Sequence, residues 1–273
     1  MASSQGQGQG QTAANTKPDI LIFADGEFTR FFGVLDSSLS IMKEQANVHQ
    51  ADFDVEGASM NLLQQYPSAK AIWVTSASIV KPEFRSLCDR VVQYVKQGGT
   101  AIFGAEFSGW MGADDFAQWM TNVWQLPWTF DPYCRGQTAL QNSHVGPGDN
   151  VAWRSGLRSD DSLKANFLTN VAPRDSLYAV TDEFKASSGW FGDKTKSYTT
   201  IAYAKYGNGW LGYTGDGNLG EVTEDATLAM MGLQFDPSRS RFRGSVTLSF
   251  GPDGKCETKV DHNPPGPEFY LGL

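Results

Sequence analysis

Short apolar runs alternate with longer amphipathic stretches between residue 18 and about residue 126. Three runs, Ile20–Ala24, Ala71–Thr75 and Thr100–Phe103, are almost continuously apolar. A continuous apolar run is typical of a strand in a sheet that is covered on both faces, as parallel sheets are. The pattern therefore predicts three buried strands separated by helices.

The clearest predicted helix lies in "KPEFRSLCDRVVQYVKQGG". Its apolar residues fall on one helical face: Phe84, Leu87, Val91, Val92 and Val95. Pro82 stands near the start and Gly98-Gly99 follows the end, as is typical of helix boundaries. Because strands and helices alternate, we predict an α/β fold with a flavodoxin-like, mostly parallel sheet and helices on both faces.

The second half of the chain has a different pattern. Residues 127–197 are rich in Gly, Pro, Asn, Ser and Asp, which predicts an inserted segment of loops and edge strands. A hairpin is expected from Tyr198–Tyr206 and Trp210–Thr214 around a Gly-Asn-Gly turn. A helix follows in "EVTEDATLAMMGLQF", and "GSVTLSFGPDGKCETKV" predicts a C-terminal β-hairpin.

We predict one folded domain over residues 18–260. Residues 1–17 are a Gln-, Gly- and Ala-rich tail that is too polar to pack, and residues 261–273 form a Pro-rich tail.

Composition narrows the function classes. The chain has 22 basic and 30 acidic residues, a net charge of −8, which argues against binding to nucleic acid or to an anionic membrane. The N-terminus has no apolar secretion signal, and three widely spaced cysteines do not suggest disulfides. We therefore expect a cytoplasmic protein. With three histidines and neither CxxC nor HExxH, we expect no zinc site.

Two segments together resemble a known family. "VVQYVKQGGTAIFGAEFSGW" resembles the helix, Gly-Gly turn, strand and elbow of class I glutamine amidotransferase-like proteins, in particular the ThuA-like branch. "AKYGNGWLGYTGDGNLGEVTEDATLAMMGL" is similar to a later segment of that branch. "DILIFADGEFTRFFGVLDSSL" is similar to the opening strand and helix of DJ-1/PfpI-like proteins.

The resemblance implies a nucleophilic Cys or a His at the elbow, and this chain departs from it. The elbow reads Gly104-Ala105-Glu106-Phe107-Ser108-Gly109, with Glu106 near its apex and no cysteine nearby. We therefore expect no glutaminase activity. The later loop, where relatives carry a His, has Asp216, and Glu27 matches the Glu of DJ-1-like relatives.

The predicted catalytic residues are Glu106, Glu27 and Asp216. A strand-to-helix turn exposes a side chain at the carboxyl edge of the sheet, so Glu106 is a candidate acid, base or nucleophile. If Glu27 lies beside it, repulsion would raise the pKa of one carboxyl and give an acid and a base. The alternative is that these are a helix-capping Glu and a solvated acidic loop.

A second group of residues is predicted to bind substrate. Its members lie in turns after strands, among aromatic residues, or in the inserted loops: Asp25, Ser76, Phe107, Ser108, Trp110, His144 and Asn218. Asp216, Asn218 and Glu221, with Asp25 and Glu27, also make Mg²⁺ or Ca²⁺ a minor alternative. Otherwise we expect no cofactor and no metal.

The spacing Gly215-x-Gly217-x-x-Gly220 matches a dinucleotide-binding fingerprint, but its context does not. A true fingerprint follows a buried strand and opens a βαβ unit, whereas this one follows the second arm of a predicted hairpin. We interpret these glycines as turn residues.

Two functions remain open. The first is a small-molecule enzyme that uses carboxylate acid/base chemistry, as a hydrolase, a lyase or hydratase, or an isomerase. The second is a non-catalytic binding or interaction protein that kept the fold. The expected partner is a small-molecule substrate, and a homodimer is possible on the pattern of relatives.

Overall fold

The computed structural model describes residues 17–26, 36–147, 154, 156–217, 219–235, 245–250 and 256–261. The helices are α1 (Asp36–Gln45), α2 (Ala58–Gln65), α3 (Arg85–Lys96), α4 (Glu106–Gly109), α5 (Ala113–Trp119), α6 (Asp182–Ser187) and α7 (Glu221–Met230). The strands are β1 (Asp19–Ala24), β2 (Asn47–Asp52), β3 (Ala71–Val74), β4 (Thr100–Phe103), β5 (Thr129–Leu140), β6 (Asp160–Thr169), β7 (Ser176–Val180), β8 (Thr199–Tyr206), β9 (Gly209–Thr214), β10 (Ser245–Phe250) and β11 (Cys256–Asp261).

Five strands form a parallel layer in the order β2-β1-β3-β4-β9. Along β1 the side chains alternate between two apolar cores, as the pleat of a strand requires. Leu21 and Phe23 pack on the side of α2, α3 and α5, whereas Ile20 and Ile22 pack on the side of α1 and α7. The carboxyl ends of β1, β3 and β4 therefore lie side by side at one edge.

The remaining strands correct the predicted fold class. β9 pairs antiparallel with β8, and β8, β6, β5 and β7 then close into a four-stranded antiparallel barrel. The prediction of a flavodoxin-like, mostly parallel sheet is therefore wrong. It rested on the apolar runs of the first half, whereas β5 and β6 of the barrel are only partly buried and contain many polar positions.

The β8–β9 hairpin is confirmed. Gly207 has φ of +60°, a left-handed conformation that favours glycine in a tight hairpin turn. A Cβ at Gly209 would lie 2.1 Å from the Gly99 carbonyl oxygen, so the hairpin packs tightly against the end of α3.

β10 and β11 form a separate antiparallel pair. In the described part of the chain, no helix is both long and apolar enough to cross a membrane.

Candidate functional site

A cleft of about 980 Å³ opens at the carboxyl edge of the parallel layer. Its floor contains side chains that follow three neighbouring strands: Asp25 after β1, Ser76 after β3 and Glu106 after β4. Ligands of parallel sheets bind at this edge because the turns after the strands converge there. The size lies at the upper end of the range of small-molecule pockets.

Asp25 is held in place by the turn after β3. Its Oδ2 accepts hydrogen bonds from the Ser76 hydroxyl at 2.5 Å and the Ser78 hydroxyl at 3.1 Å. The Ser76 oxygen also accepts from the Ser78 backbone N–H, which fixes the turn. The second oxygen, Asp25 Oδ1, is buried and accepts no hydrogen bond from the described residues.

On the floor of the cleft, the Glu106 carboxyl has a strongly shifted pKa. Its pKa is raised from 4.5 to about 7. Burial away from water is the main cause, a hydrogen bond with the Trp110 side chain partly offsets it, and the negative charge of Asp25 raises the pKa further. Close to neutral pH, Glu106 therefore exists in both protonation states.

The apex of the elbow is Ala105 rather than Glu106. Ala105 has φ of 56° and ψ of −128°, a conformation that strains any residue with a Cβ. Its methyl group is fully buried, and Glu106 follows as the first residue of α4. The turn is tight because Thr214 packs against Gly104, where a Cβ would lie 2.0 Å from the Thr214 hydroxyl oxygen.

The two walls of the cleft differ in charge. One wall comes from the turn after β3 and the start of α3, and it carries Lys81 and Arg85. The other wall comes from the end of α4, from α5 and from the π-helical segment Met120–Trp124 that continues α5. It carries Trp110, Trp119, Asp115, Gln118 and Asn122. Trp110 is 78% exposed at the mouth of the cleft.

Two predicted binding residues lie beneath the cleft instead of lining it. Phe107 is fully buried, and its ring centroid is 5.0 Å from that of Phe103. Ser108 is also fully buried, and its hydroxyl donates to the carbonyl oxygens of Ala105 and Gly215. Ser108 therefore ties the elbow to the loop after β9.

Asp216 and His144 lie at other places in the fold. Asp216 Oδ2 accepts from the Gly220 N–H at 2.9 Å and from the Thr223 hydroxyl at 3.1 Å, at the N-terminus of α7. His144 is buried, and its Nε2 lies 2.9 Å from the Tyr203 carbonyl oxygen. Burial lowers the pKa of His144 to about 4. Neither residue lines the cleft.

Glu27 and Asn218 lie outside the described residues. Asp25 and Asp216, the described aspartates of the suggested cation set, belong to separate surroundings: Asp25 lines the cleft, and Asp216 accepts hydrogen bonds from Gly220 and Thr223 at the start of α7. Within the described residues, no group of three or more His, Cys, Asp or Glu side chains has an arrangement that could hold a metal ion.

Several cleft residues were not singled out from the sequence: Ser78, Lys81, Arg85, Asp115, Gln118 and Asn122. The sequence could have indicated Ser78, because this residue belongs to the turn that follows a buried strand. The others stand at the starts of helices or on helical faces, where the sequence pattern does not tell a cleft-facing position from an ordinary surface position.

Comparisons with known proteins concern the fold alone. No family model and no curated protein matches the chain. A ThuA-like protein from Bacteroides uniformis ATCC 8492 matches with a TM-score of 0.52 and 12% identity, over 80% of this chain and 91% of that chain. Its structure supports the resemblance to ThuA-like proteins, which have the class I amidotransferase-like fold, at the level of the fold.

Two further matches have lower TM-scores. A ThuA-like protein from Parabacteroides merdae ATCC 43184 has a TM-score of 0.46 and 12% identity, over 89% of this chain and 98% of that chain. A β-galactosidase from Rahnella sp. R3 has a TM-score of 0.49 and 13% identity, over 85% of this chain but 34% of that chain.

Proposed function

We propose that this protein is a small-molecule enzyme of amidotransferase-like fold that works by carboxylate acid/base chemistry. The observation that carries the proposal is the pairing of Glu106 with Asp25 on the floor of one cleft, where the pKa of Glu106 is about 7. A group with a pKa near the working pH both donates and accepts protons effectively. Two carboxyls in unequal surroundings supply an acid and a base.

The roles follow from the hydrogen bonds. Asp25 accepts two hydroxyl hydrogen bonds through Oδ2, which hold its carboxylate in a fixed orientation. Asp25 lines the cleft beside Glu106 and is the proposed proton acceptor. Glu106, largely protonated below pH 7, is the proton donor. Such a pair can serve hydrolysis, hydration or dehydration, and isomerisation.

The proposed chemistry does not use a cysteine nucleophile. Cys88 is buried within α3, burial raises the pKa of its thiol to about 11, and its Sγ lies 3.6 Å from the Ile79 carbonyl oxygen. Cys134 is buried on β5 in the barrel. At the elbow apex, Ala105 offers only a methyl group.

The same alanine favours a second candidate function, a non-catalytic binding protein. A strained apex that carries no reactive side chain is what remains when a fold keeps its turn and loses a nucleophile. In that case the cleft binds a small molecule without changing it.

Turnover measurements on Glu106→Gln separate the two functions. The screen would incubate the protein with pooled small metabolites and detect product by mass spectrometry. If the acid/base proposal is right, wild-type protein converts a substrate and Glu106→Gln converts it at least about 100-fold more slowly. Glu83→Gln is the matched control, because Glu83 lies outside the cleft in the turn before α3. Equal turnover by Glu106→Gln and wild type would refute the proposed role.

A titration tests the acid itself. Carboxyl-carbon NMR should show Glu106 titrating near pH 7. Asp25→Asn should lower that pKa while leaving it above 4.5, because burial is the larger cause. A Glu106 carboxyl that titrates near 4.5 in wild-type protein would remove the basis of the proposal.

A further inference from the structure

We infer that the cleft takes substrates that carry an anionic group, and that Lys81 and Arg85 bind it. This inference deepens the proposed function, because it names a substrate class for the same cleft. The anionic group is a carboxylate or a phosphate, and it binds at the wall formed by the turn after β3 and the start of α3.

The first argument is the arrangement of charge within the cleft. The chain carries a net charge of −8, and the floor of the cleft carries two carboxyls. Lys81 and Arg85 nevertheless lie together on one wall, four residues apart across the start of α3. The cleft is therefore bipolar, with protonatable carboxyls on its floor and fixed cations on one wall.

The second argument is that these cations are weakly engaged. Lys81 forms no salt bridge with any described residue, although its backbone is fixed by hydrogen bonds to Ser78 and Phe84. Arg85 pairs with Asp89 one turn along the same helix at 3.1 Å, with both side chains more than half exposed. Such a pair is weak in water, so an incoming anion can compete for the guanidinium.

The opposite wall does not neutralise them. Asp115 lines it, and neither Lys81 nor Arg85 forms a salt bridge with Asp115. The other polar groups there include the amides of Gln118 and Asn122. A substrate held by its anionic end at the cationic wall would present its other polar groups to these amides and to the Glu106 carboxyl.

The experiment uses three probes of similar size: glycerol 3-phosphate, glycerate and glycerol. Each is titrated into the full chain, with the indole N–H resonance of Trp110 as the reporter, because this ring stands at the mouth of the cleft. Both anions should bind about tenfold more tightly than glycerol, as charge-assisted hydrogen bonds imply. Raising the salt concentration should weaken this preference. The stronger of the two anions identifies the group.

Variants locate the effect. Lys81→Ala combined with Arg85→Ala should abolish the preference for anions, and each single variant should reduce it. Lys96→Ala is the matched control: it lies on the same helix, about 16 Å from Arg85 along the axis, and faces Tyr206 outside the cleft. Equal affinity for all three probes, absence of anion binding, or a preference that survives the double variant would each overturn the inference.

The outcome is separable from that of the proposed function. Glu106→Gln should keep the preference for anions, because it leaves both cations in place. Loss of turnover in Glu106→Gln without any preference for anions would keep the acid/base proposal and reject this inference. A preference for anions together with undiminished turnover in Glu106→Gln would keep this inference and reject the acid/base proposal.

Discussion

Replacing Glu106 with Gln should stabilise the protein in alkaline solution and not in mild acid. In the folded state the pKa of Glu106 is about 7, against 4.5 for the unperturbed carboxyl. Between these values the folded state binds the proton more strongly than the unfolded state does. The free energy of unfolding therefore falls as the pH rises through this window. Gln cannot ionise, so the variant escapes this loss.

The magnitude follows from the perturbation. The difference between the two pKa values corresponds to about 3 kcal/mol. Because the Glu106 carboxyl is only partly buried, solvent screening reduces this to about 1–2 kcal/mol. Relative to wild type, Glu106→Gln should therefore gain about 1–2 kcal/mol between pH 5 and pH 8.5.

Urea unfolding of both proteins at these two pH values measures the difference. The variant keeps the size and shape of the side chain, so its dependence on urea concentration should match that of wild type. Glu83→Gln should show no such gain, because Glu83 is exposed in a turn. The reasoning fails if the stability difference between Glu106→Gln and wild type is the same at both pH values.

Three further outcomes are expected. Gly104→Ala should destabilise the protein by about 1–3 kcal/mol, because its Cβ would lie 2.0 Å from the Thr214 hydroxyl oxygen; urea unfolding measures this. Asp216→Ala should cost about 1 kcal/mol or more, because it removes the acceptor of the hydrogen bonds that Gly220 N–H and the Thr223 hydroxyl donate at the start of α7, and it should leave probe binding in the cleft unchanged by NMR titration. The folded-state pKa of His144 is about 4, so native stability should fall as the pH drops from 6.5 towards 4, and His144→Gln should reduce that fall in thermal melts.

Each of these has its own control. At Gly109 an added Cβ meets nothing within 4 Å, so Gly109→Ala should not destabilise, and an equal loss at both glycines would contradict the steric argument. If Asp216→Ala weakens probe binding in the cleft, Asp216 acts there and not only at the start of α7. If His144→Gln retains the full loss of stability in acid, other groups cause it.

Local signals were enough to place individual elements in the first half of the chain. The run Thr100–Phe103 is a strand with those bounds, and the helix expected between Pro82 and Gly98 spans Arg85–Lys96. Both signals act within a few residues, since they depend on an uninterrupted apolar run or on a helix terminator.

The barrel could not be predicted in the same way. β5 contains Pro132 and Gly136 and is mostly part-exposed, so it reads as a loop. It is a strand because residues 21 to 42 positions away, in β6 and β7, pair with it. The local sequence does not show which distant segment pairs with a strand, and that pairing decides whether the strand forms.

The candidate site was predictable where it depends on strand ends. Asp25, Ser76 and Glu106 follow strands, and parallel strands bring such positions together. The positions of Lys81 and Arg85 in the cleft could not be predicted from the sequence. They depend on the path that the chain takes between β3 and α3. Glu106 and Asp216 both carry a carboxyl in a turn after a strand, so the sequence predicted the same catalytic role for both. The structure shows the difference, because Asp216 forms hydrogen bonds with residues of α7 and its start.

Closure of the barrel also has a consequence for self-association. β5, β6, β7 and β8 each have strand neighbours on two sides, whereas β2 pairs only with β1 among the described strands. Unpaired strand edges are the usual templates on which chains add to one another and aggregate. The sequence of β2, Asn-Val-His-Gln-Ala-Asp, is mostly polar and only partly buried, which discourages a neighbouring chain from extending the sheet there. Apolar substitutions at Asn47 or Gln50, both exposed, are therefore expected to promote pairing of β2 with a strand of another chain.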